Sequence, residues 1–327
     1  MKKVIHLSNR ACIRTLKLGV TARRLGYKVE FWQRSAREDF KHRFRDMQFF
    51  KTWADLVERL EEAKADLVHV HYCAIPEMVA AAKAAQGERP VLCDVHDLDI
   101  VRYSTTNKAE SSIFDIADAL IFPCEGYQDF CIKWQPGKVN ILPQTVIPAA
   151  MLPEDVVSIE RLPARSGIVY QGGIVQSIPH RRITNVIKKA TRNGISFVVH
   201  ASNGTTEDIS ALVRAGATVV TRYMYRPLLN ELTRYDWGLC GCDHPTKQWK
   251  VAYSNKFFEY TAARTPVIAY NADNSGDLAE SLNVGVKISN IAEIKNIDPR
   301  QFDGFNLVPT MLDYQAKLKE LYQQLLS

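Results

Sequence analysis

The sequence predicts an α/β protein built from two Rossmann-like, doubly wound parallel-sheet domains that face a cleft. Three observations carry this expectation. Apolar runs of strand length alternate with amphipathic stretches of helical period. The alternation pauses at a proline-rich passage and then begins again. The length, 327 residues, suits two domains of ordinary size.

The elements follow in order. Lys3–Ser8 is an apolar strand, and Cys12–Leu25 a helix with Leu16, Val20 and Leu25 among its apolar positions. Gly26-Tyr27 turns the chain into strand Lys28–Trp32. Arg37–Asp46 reads as a basic helix with Phe40 and Phe44 one turn apart, and Trp53–Ala63 as an amphipathic helix. Strand Asp66–His71, helix Pro76–Ala85, strand Val91–Val95, helix Lys108–Ala117 and strand Ala119–Pro123 complete the first half. Pro143, Pro148, Pro153 and Pro163 mark the connection between domains. Beyond it come strand Gly167–Gln171, helix Arg181–Arg192, strand Ser196–His200, helix Ser210–Ala215, strand Thr218–Thr221, helix Pro227–Arg234 and strand Asp236–Cys240. A short helix after Ser254, strand Val267–Tyr270 and helix Thr310–Leu326 end the chain. The expected boundaries are a first domain over 1–150, a linker over 151–165, a second domain over 166–309 and a C-terminal helix over 310–327. Ligands of such sheets bind beyond the carboxyl ends of the strands, so the site is expected where the two sheets face.

Apolar residues make up 46% of the chain, enough for real cores, and no run approaches bilayer length. The N-terminus turns polar too soon for a signal peptide. Seven scattered cysteines, an odd number, point to a reducing compartment, so the expected location is cytoplasmic. The net charge of +6 is uneven: residues 1–51 hold 14 Lys/Arg against 4 Asp/Glu, and the remainder 28 against 32. A basic first segment suits an anionic partner: a phospholipid surface at the inner membrane face, a phosphorylated acceptor or, less favoured, nucleic acid. Phe40 and Phe44 beside Lys41, Arg43 and Arg45 could enter a lipid interface or face a core. A merely solvated basic surface fits the same charge.

The stretch Ser254-Asn255-Lys256-Phe257-Phe258-Glu259-Tyr260 carries the most chemistry. Ser254 suits a helix N-cap, whose backbone N–H groups attract an anion. Lys256 adds a cation, and Glu259 falls on the same helix face. Together they suit a nucleotide, with phosphate at one side and ribose hydroxyls at the other. An exposed Lys–Glu pair on an amphipathic helix has the same spacing. Gly172 and Gly173 let backbone approach a ligand at a strand tip, or form a plain β–α turn. Arg181, slightly favoured over Arg182, opens a helix where an anion would explain an arginine. Tyr223 and Tyr225 lie in a loop placed to stack on a nucleobase, or to pack. His69 and His71 share one strand face; two ligands do not make a metal site, and packing is expected. Asp97-Leu98-Asp99 forms a DxD triplet, weak evidence for a metal. Cys240-Gly241-Cys242 with His244 lacks a zinc-finger spacing and a fourth ligand.

In order along the chain, Asp66-Leu67-Val68-His69-Val70-His71, Asp94-Val95-His96-Asp97, Val169-Tyr170-Gln171-Gly172-Gly173 and Ser254–Tyr260 with Pro266-Val267-Ile268 resemble the landmarks of a GT-B glycosyltransferase. The likeness is greatest to family 4 of the retaining enzymes and covers nearly the whole chain. It implies a sugar transferred from a nucleotide sugar to an acceptor hydroxyl, with retention and without a metal or other cofactor. It puts Lys256 at the donor diphosphate and Glu259 at the ribose; from their places in the sequence, Gly172, Gly173, Arg181 and Asn255 are expected at the same diphosphate, and Tyr223 and Tyr225 at the base. His96 and Asp97 are the expected catalytic pair: the resemblance has His96 approach the transferred sugar, and the adjacent Asp97 orients that sugar, serves as base if the enzyme inverts, or caps the segment that follows. The basic first segment, rather than the resemblance, places Asn9, Arg10 and Arg14 on the expected acceptor side. The chain departs from the pattern at three points: Val251 stands where the first glutamate of a pair is usual, Arg264 where a glycine precedes the "PVI" strand, and Ser8-Asn9-Arg10 where the N-terminal loop is glycine-rich. A non-catalytic nucleotide-sugar binding module and a sugar-nucleotide epimerase are the alternatives.

Overall fold

A computed structural model describes the whole chain except residues 11, 36–46, 73–74, 104–107, 158–165 and 222–223. The expected basic helix with Phe40 and Phe44, Tyr223, and most of the expected linker therefore lie outside the described residues. The chain divides into two compact units, Met1–Ala150 with Thr310–Ser327, and Met151–Pro309.

The first unit is a seven-stranded sheet whose described pairings are all parallel. Its strands are β1 (Lys3–Arg10), β2 (Lys28–Ser35), β3 (Met47–Phe49), β4 (Leu67–Tyr72), β5 (Val91–Val95), β6 (Ala119–Phe122) and β7 (Gln144–Val146), in the order β3-β2-β1-β4-β5-β6-β7. The central strands are buried along their length, as expected of a parallel sheet covered on both faces. β7 lies within the proline-rich passage that reads as a connection: Pro143 and Pro148 flank it, and as an edge strand it tolerates them. The expected helix over Lys108–Ala117 is instead a 3-10 turn, Lys108–Ser112, and a single helical turn, Ile113–Ile116. There Glu110 points inward, accepting from Asp99 N–H (2.7 Å), Ile100 N–H (3.1 Å) and Tyr72 O–H (3.1 Å).

The last helix, Gln315–Leu326, belongs to this unit. Tyr322 is buried, its ring edge-on to Tyr27 and its hydroxyl 2.8 Å from His69 Nδ1.

The second unit is a six-stranded sheet, likewise parallel. Its strands are β8 (Ile168–Gly173), β9 (Phe197–Asn203), β10 (Thr218–Thr221), β11 (Trp237–Gly241), β12 (Val267–Tyr270) and β13 (Gly285–Ile288), in the order β10-β9-β8-β11-β12-β13. Helix Asn255–Ala262 packs on β11 through Tyr260, whose hydroxyl lies 3.1 Å from Gln171 N. A Cβ on Gly238 would fall 2.3 Å from the Tyr260 ring, so the glycine makes room for this buried side chain.

Arg264, which replaces a glycine in the family pattern, sits at φ +52° in the left-handed region. Only glycine adopts that conformation without a Cβ penalty, which explains the usual residue. Arg264→Gly is expected to raise stability by about 1 kcal/mol, read as an increase in the denaturant midpoint at unchanged slope. No change or a loss would show that the Arg264 side chain, within 3.4 Å of Asn306 Oδ1, offsets the strain. Among the described residues no helix is long and apolar enough to cross a membrane.

Candidate functional site

In the second unit the chemistry gathers at the tip of β8. The strand runs through both glycines, its register slips between Gly172 and Gly173, and Gly172 takes φ +122°. A Cβ on Gly172 would lie 3.2 Å from Lys256 Nζ; one on Gly173 would lie 2.8 Å from both Arg181 Nη1 and Asn203 Oδ1. The bare backbone is therefore what allows two cations to approach one strand tip.

Lys256 reaches that tip from helix Asn255–Ala262, where Ser254 Oγ accepts from its backbone N–H at 3.2 Å. Its ammonium lies 5.0 Å from the centre of the Tyr170 ring and 5.7 Å from that of Trp249, within cation–π reach of both. Trp249 is fixed by donating Nε1–H to His180 O at 2.9 Å. Asn255 is exposed at the first helical position. Glu259, one turn on, is buried and accepts from Gln171 Nε2. The sequence reading gives Tyr170, Gln171, Asn203 and Trp249 no role of their own: the first three join the group through neighbouring strands β8 and β9, and Trp249 from the short helix Lys247–Val251.

Arg181 arrives by a different route from the one expected. The helix begins at Thr184, because Asp243 Oδ1 accepts from the N–H groups of Asn185 (2.8 Å) and Val186 (2.9 Å) and so caps it there. Arg181 ends a 3-10 turn over Pro179–Arg181, so it does not oppose that helix's dipole. Arg182 is occupied, donating Nε–H to Gln176 O at 2.9 Å. Tyr225 corrects another expectation: it is buried, with its hydroxyl 3.6 Å from Met151 Sδ, and offers no open face to a base. Cys242 donates its thiol to His244 O, and burial pushes both the Cys240 and Cys242 thiols up to about 12.

In the first unit the polar residues line up across three strands. Parallel register sets His6 beside His69, Ser8 beside His71, and His71 beside Asp94. Asp94 is fully buried. Arg14, from helix Ile13–Arg24, grips it with Nε (2.8 and 2.9 Å) and Nη2 (2.7 Å). His71 Nδ1 lies 3.0 Å from Asp94 Oδ2, and His96 Nδ1 3.3 Å from the same oxygen and 3.2 Å from Asp94 O.

Burial disfavours the Asp94 carboxylate, but the charges of Arg14 and His96 and the hydrogen bonds from His71 and His96 outweigh it, holding Asp94 well below the usual range. Burial likewise pulls His96 down, and the Asp94 charge and hydrogen bond, the Cys12 hydrogen bond and the Asp97 charge carry it well above the ordinary imidazole value. Cys12 caps the first helix and accepts from Thr15 N–H at 3.3 Å. Burial raises its thiol, while His96 and Thr15 bring it below the usual value.

Arg14, expected on the acceptor side, is thus an internal residue paired with Asp94. Lys17, another of the basic residues of the first segment, is also buried and donates to Ala149 O at 2.6 Å. Asn9 and Arg10 end β1 rather than forming a loop, and Arg10 is exposed. Asp97 is partly exposed, 3.9 Å from Arg102 Nη1.

The HxH pair has a third member the sequence spacing does not show. His6, His69 and His71 offer ring nitrogens within 4.8 Å of one another. His6 Nδ1 lies 2.9 Å from His71 Nε2, His69 and His71 stack at 4.4 Å, and Tyr322 O–H bridges His69 and His6. Burial, foremost, holds all three below the usual histidine value.

Residues 13–149 match the family model of a glycosyl transferase 4-like domain. No curated protein matches the chain by sequence. Sucrose-phosphate synthase from Thermosynechococcus elongatus shares its fold with a TM-score of 0.74 at 15% identity, over 99% of both chains. HepE from Anabaena, solved with UDP-glucose, superposes with a TM-score of 0.73 at 13% identity, over 99% of this chain and 100% of its own. An alpha-glucosyltransferase solved with UDP and a 13-mer DNA containing a central A:G mismatch gives 0.61 at 10% identity, over the whole of both chains. The two-sheet architecture is that of the GT-B glycosyltransferases.

Proposed function

We propose that this chain, a glycosyltransferase by its first domain and its GT-B fold, transfers a sugar from a nucleoside-diphosphate sugar to an acceptor hydroxyl with retention of configuration. The observation that carries the donor reading is the pair of cations, Lys256 and Arg181, meeting the bare backbone of Gly172 and Gly173. Departure of a nucleoside diphosphate develops negative charge, and fixed cations beside open backbone stabilise it without a metal ion. Asn255 lies at the same end of the helix. Glu259, held by Gln171, suits a ribose diol and would set the donor's register. The neighbour solved with UDP-glucose supports a donor of this class.

His96 takes the role of holding the transferred sugar, with Asp97 beside it, as the family resemblance implies. Retention rests on that resemblance as well. The acceptor is anionic or membrane-borne in this reading, supported by the basic first 51 residues, of which Arg14 and Lys17 are internal and Arg10 is exposed. A cytoplasmic enzyme at the inner membrane face would meet such an acceptor.

A thermal-shift screen against a panel of nucleotide sugars tests the donor. A rise in melting temperature with one nucleoside diphosphate and its sugar is expected. A flat response to the whole panel would remove the donor site. Product NMR then reads the anomeric configuration. Liposome flotation and duplex-DNA binding across salt separate the acceptor classes, and binding to neither would end the anionic-acceptor reading.

A further inference from the structure

We propose that Asp94 is a positioning residue that fixes both the orientation and the charge of His96, making His96 a hydrogen-bond donor and a fixed positive charge rather than a base. The proposal rests on the reading above that His96 faces the transferred sugar.

The geometry is a chain of committed groups. Asp94 has two carboxylate oxygens; Arg14 engages both, and His71 Nδ1 and His96 Nδ1 share Oδ2. The Arg14 fork alone could neutralise the carboxylate. His96 is nevertheless drawn to it, so the pair of cations around one anion leaves a net positive charge. That charge sits at the most exposed member: the His96 side chain is 14% exposed, against 0% for Asp94 and 3% for Arg14. Water is excluded from the inner members, so the carboxylate acts at low dielectric, where its hold on an imidazolium is strengthened.

The groups facing His96 come from several elements. Asp94 comes from β5, Cys12 from the cap of the first helix, and Asp97 from the loop that carries His96 itself. Arg14 and His71 reach it through Asp94. Burial opposes the imidazolium; Asp94, Cys12 and Asp97 favour it, and His96 ends well above the ordinary value. His71 stays below its ordinary value, with burial the leading cause, so the proton resides on His96 and not on the inner ring.

A protonated His96 with Nδ1 turned to Asp94 has one remaining role toward a substrate. It donates a hydrogen bond to an oxygen of the transferred sugar. It cannot accept the acceptor's proton, so deprotonation of the acceptor falls to another group. Activity is then lost when His96 loses its proton, on the alkaline side.

Histidine-labelled protein tests this directly by NMR, with the His96 signal identified by its absence in His96→Gln. In the wild type the ring is expected to be doubly protonated at neutral pH and to titrate above 6.5, the ordinary value. Asp94→Asn keeps the shape and removes the charge; its His96 is expected to titrate at or below that value. The alkaline limb of the kcat/KM profile should move to lower pH with it, with kcat down by about 100-fold and the donor KM little changed. A wild-type His96 that is neutral at neutral pH overturns the proposal, whether or not Asp94→Asn folds. So does an Asp94→Asn enzyme whose alkaline limb does not move. Failure of the donor screen would instead remove the transferase reading and leave the titration result standing.

Discussion

Lys256→Ala is expected to lower kcat/KM for sugar transfer by about 100- to 1000-fold, the loss typical of removing one preorganised group that stabilises developing negative charge. The side chain is partly exposed, and its described contacts are the faces of Tyr170 and Trp249 and the edge of the glycine tip. None of these holds the fold, so the melting temperature should stay close to that of the wild type. Lys256→Arg retains the charge but brings a planar fork to a place shaped by two aromatic faces, and should recover only part of the rate. Initial rates at saturating and limiting donor, with a melting curve for each variant, provide the measurement. A Lys256→Ala enzyme within threefold of wild type would remove the diphosphate role.

The second large effect concerns stability. Asp94→Ala is expected to destabilise the first unit by about 3–5 kcal/mol, the usual cost of leaving one partner of a buried ion pair unpaired. Arg14 would keep its charge in a site closed to water. Acid acts on the same cluster. The Asp94 carboxyl lies well below its ordinary value, so its contribution is present at neutral pH and is lost as pH falls through the folded value. His6 and His69 are held neutral in the fold, well below 6.5. Their contribution is therefore full above 6.5 and declines as pH falls below it, by up to about 1.4 kcal/mol per pH unit for each. His96 runs the other way: its contribution is full below 6.5 and is lost as pH rises through its folded value.

In the second unit burial lowers His200 to about 4. Calorimetry at pH 7 and pH 5 should show the first unit losing more stability than the second. Equal losses would show that the cluster relaxes on protonation.

Much of the fold is legible in the sequence, for a physical reason. Parallel strands buried on both faces are short, dense apolar runs, and Val91–Val95 and Val267–Tyr270 match the structure residue for residue. Helix Trp53–Ala63 does as well, because its apolar stripe and its Thr52 cap are both local. β7 is not legible, since its prolines speak for a connection, and the Arg181 helix starts late because its cap, Asp243, lies 58 residues from the first N–H it binds. The site divides in the same way. Lys256 and Glu259 stand out by spacing on one helix, whereas Arg14 reads as a surface cation until Asp94, 80 residues away, is seen to hold it.

The return of the last helix to the first unit fixes an order of events during synthesis. Tyr322, which bonds to His69 and His6, follows the whole second unit in the chain, so that unit is made before it. At ordinary translation speed that interval is on the order of 10–30 s. During that time the nascent first sheet carries two buried-type histidines whose hydroxyl partner does not yet exist. The first unit is thus begun before the second and completed after it.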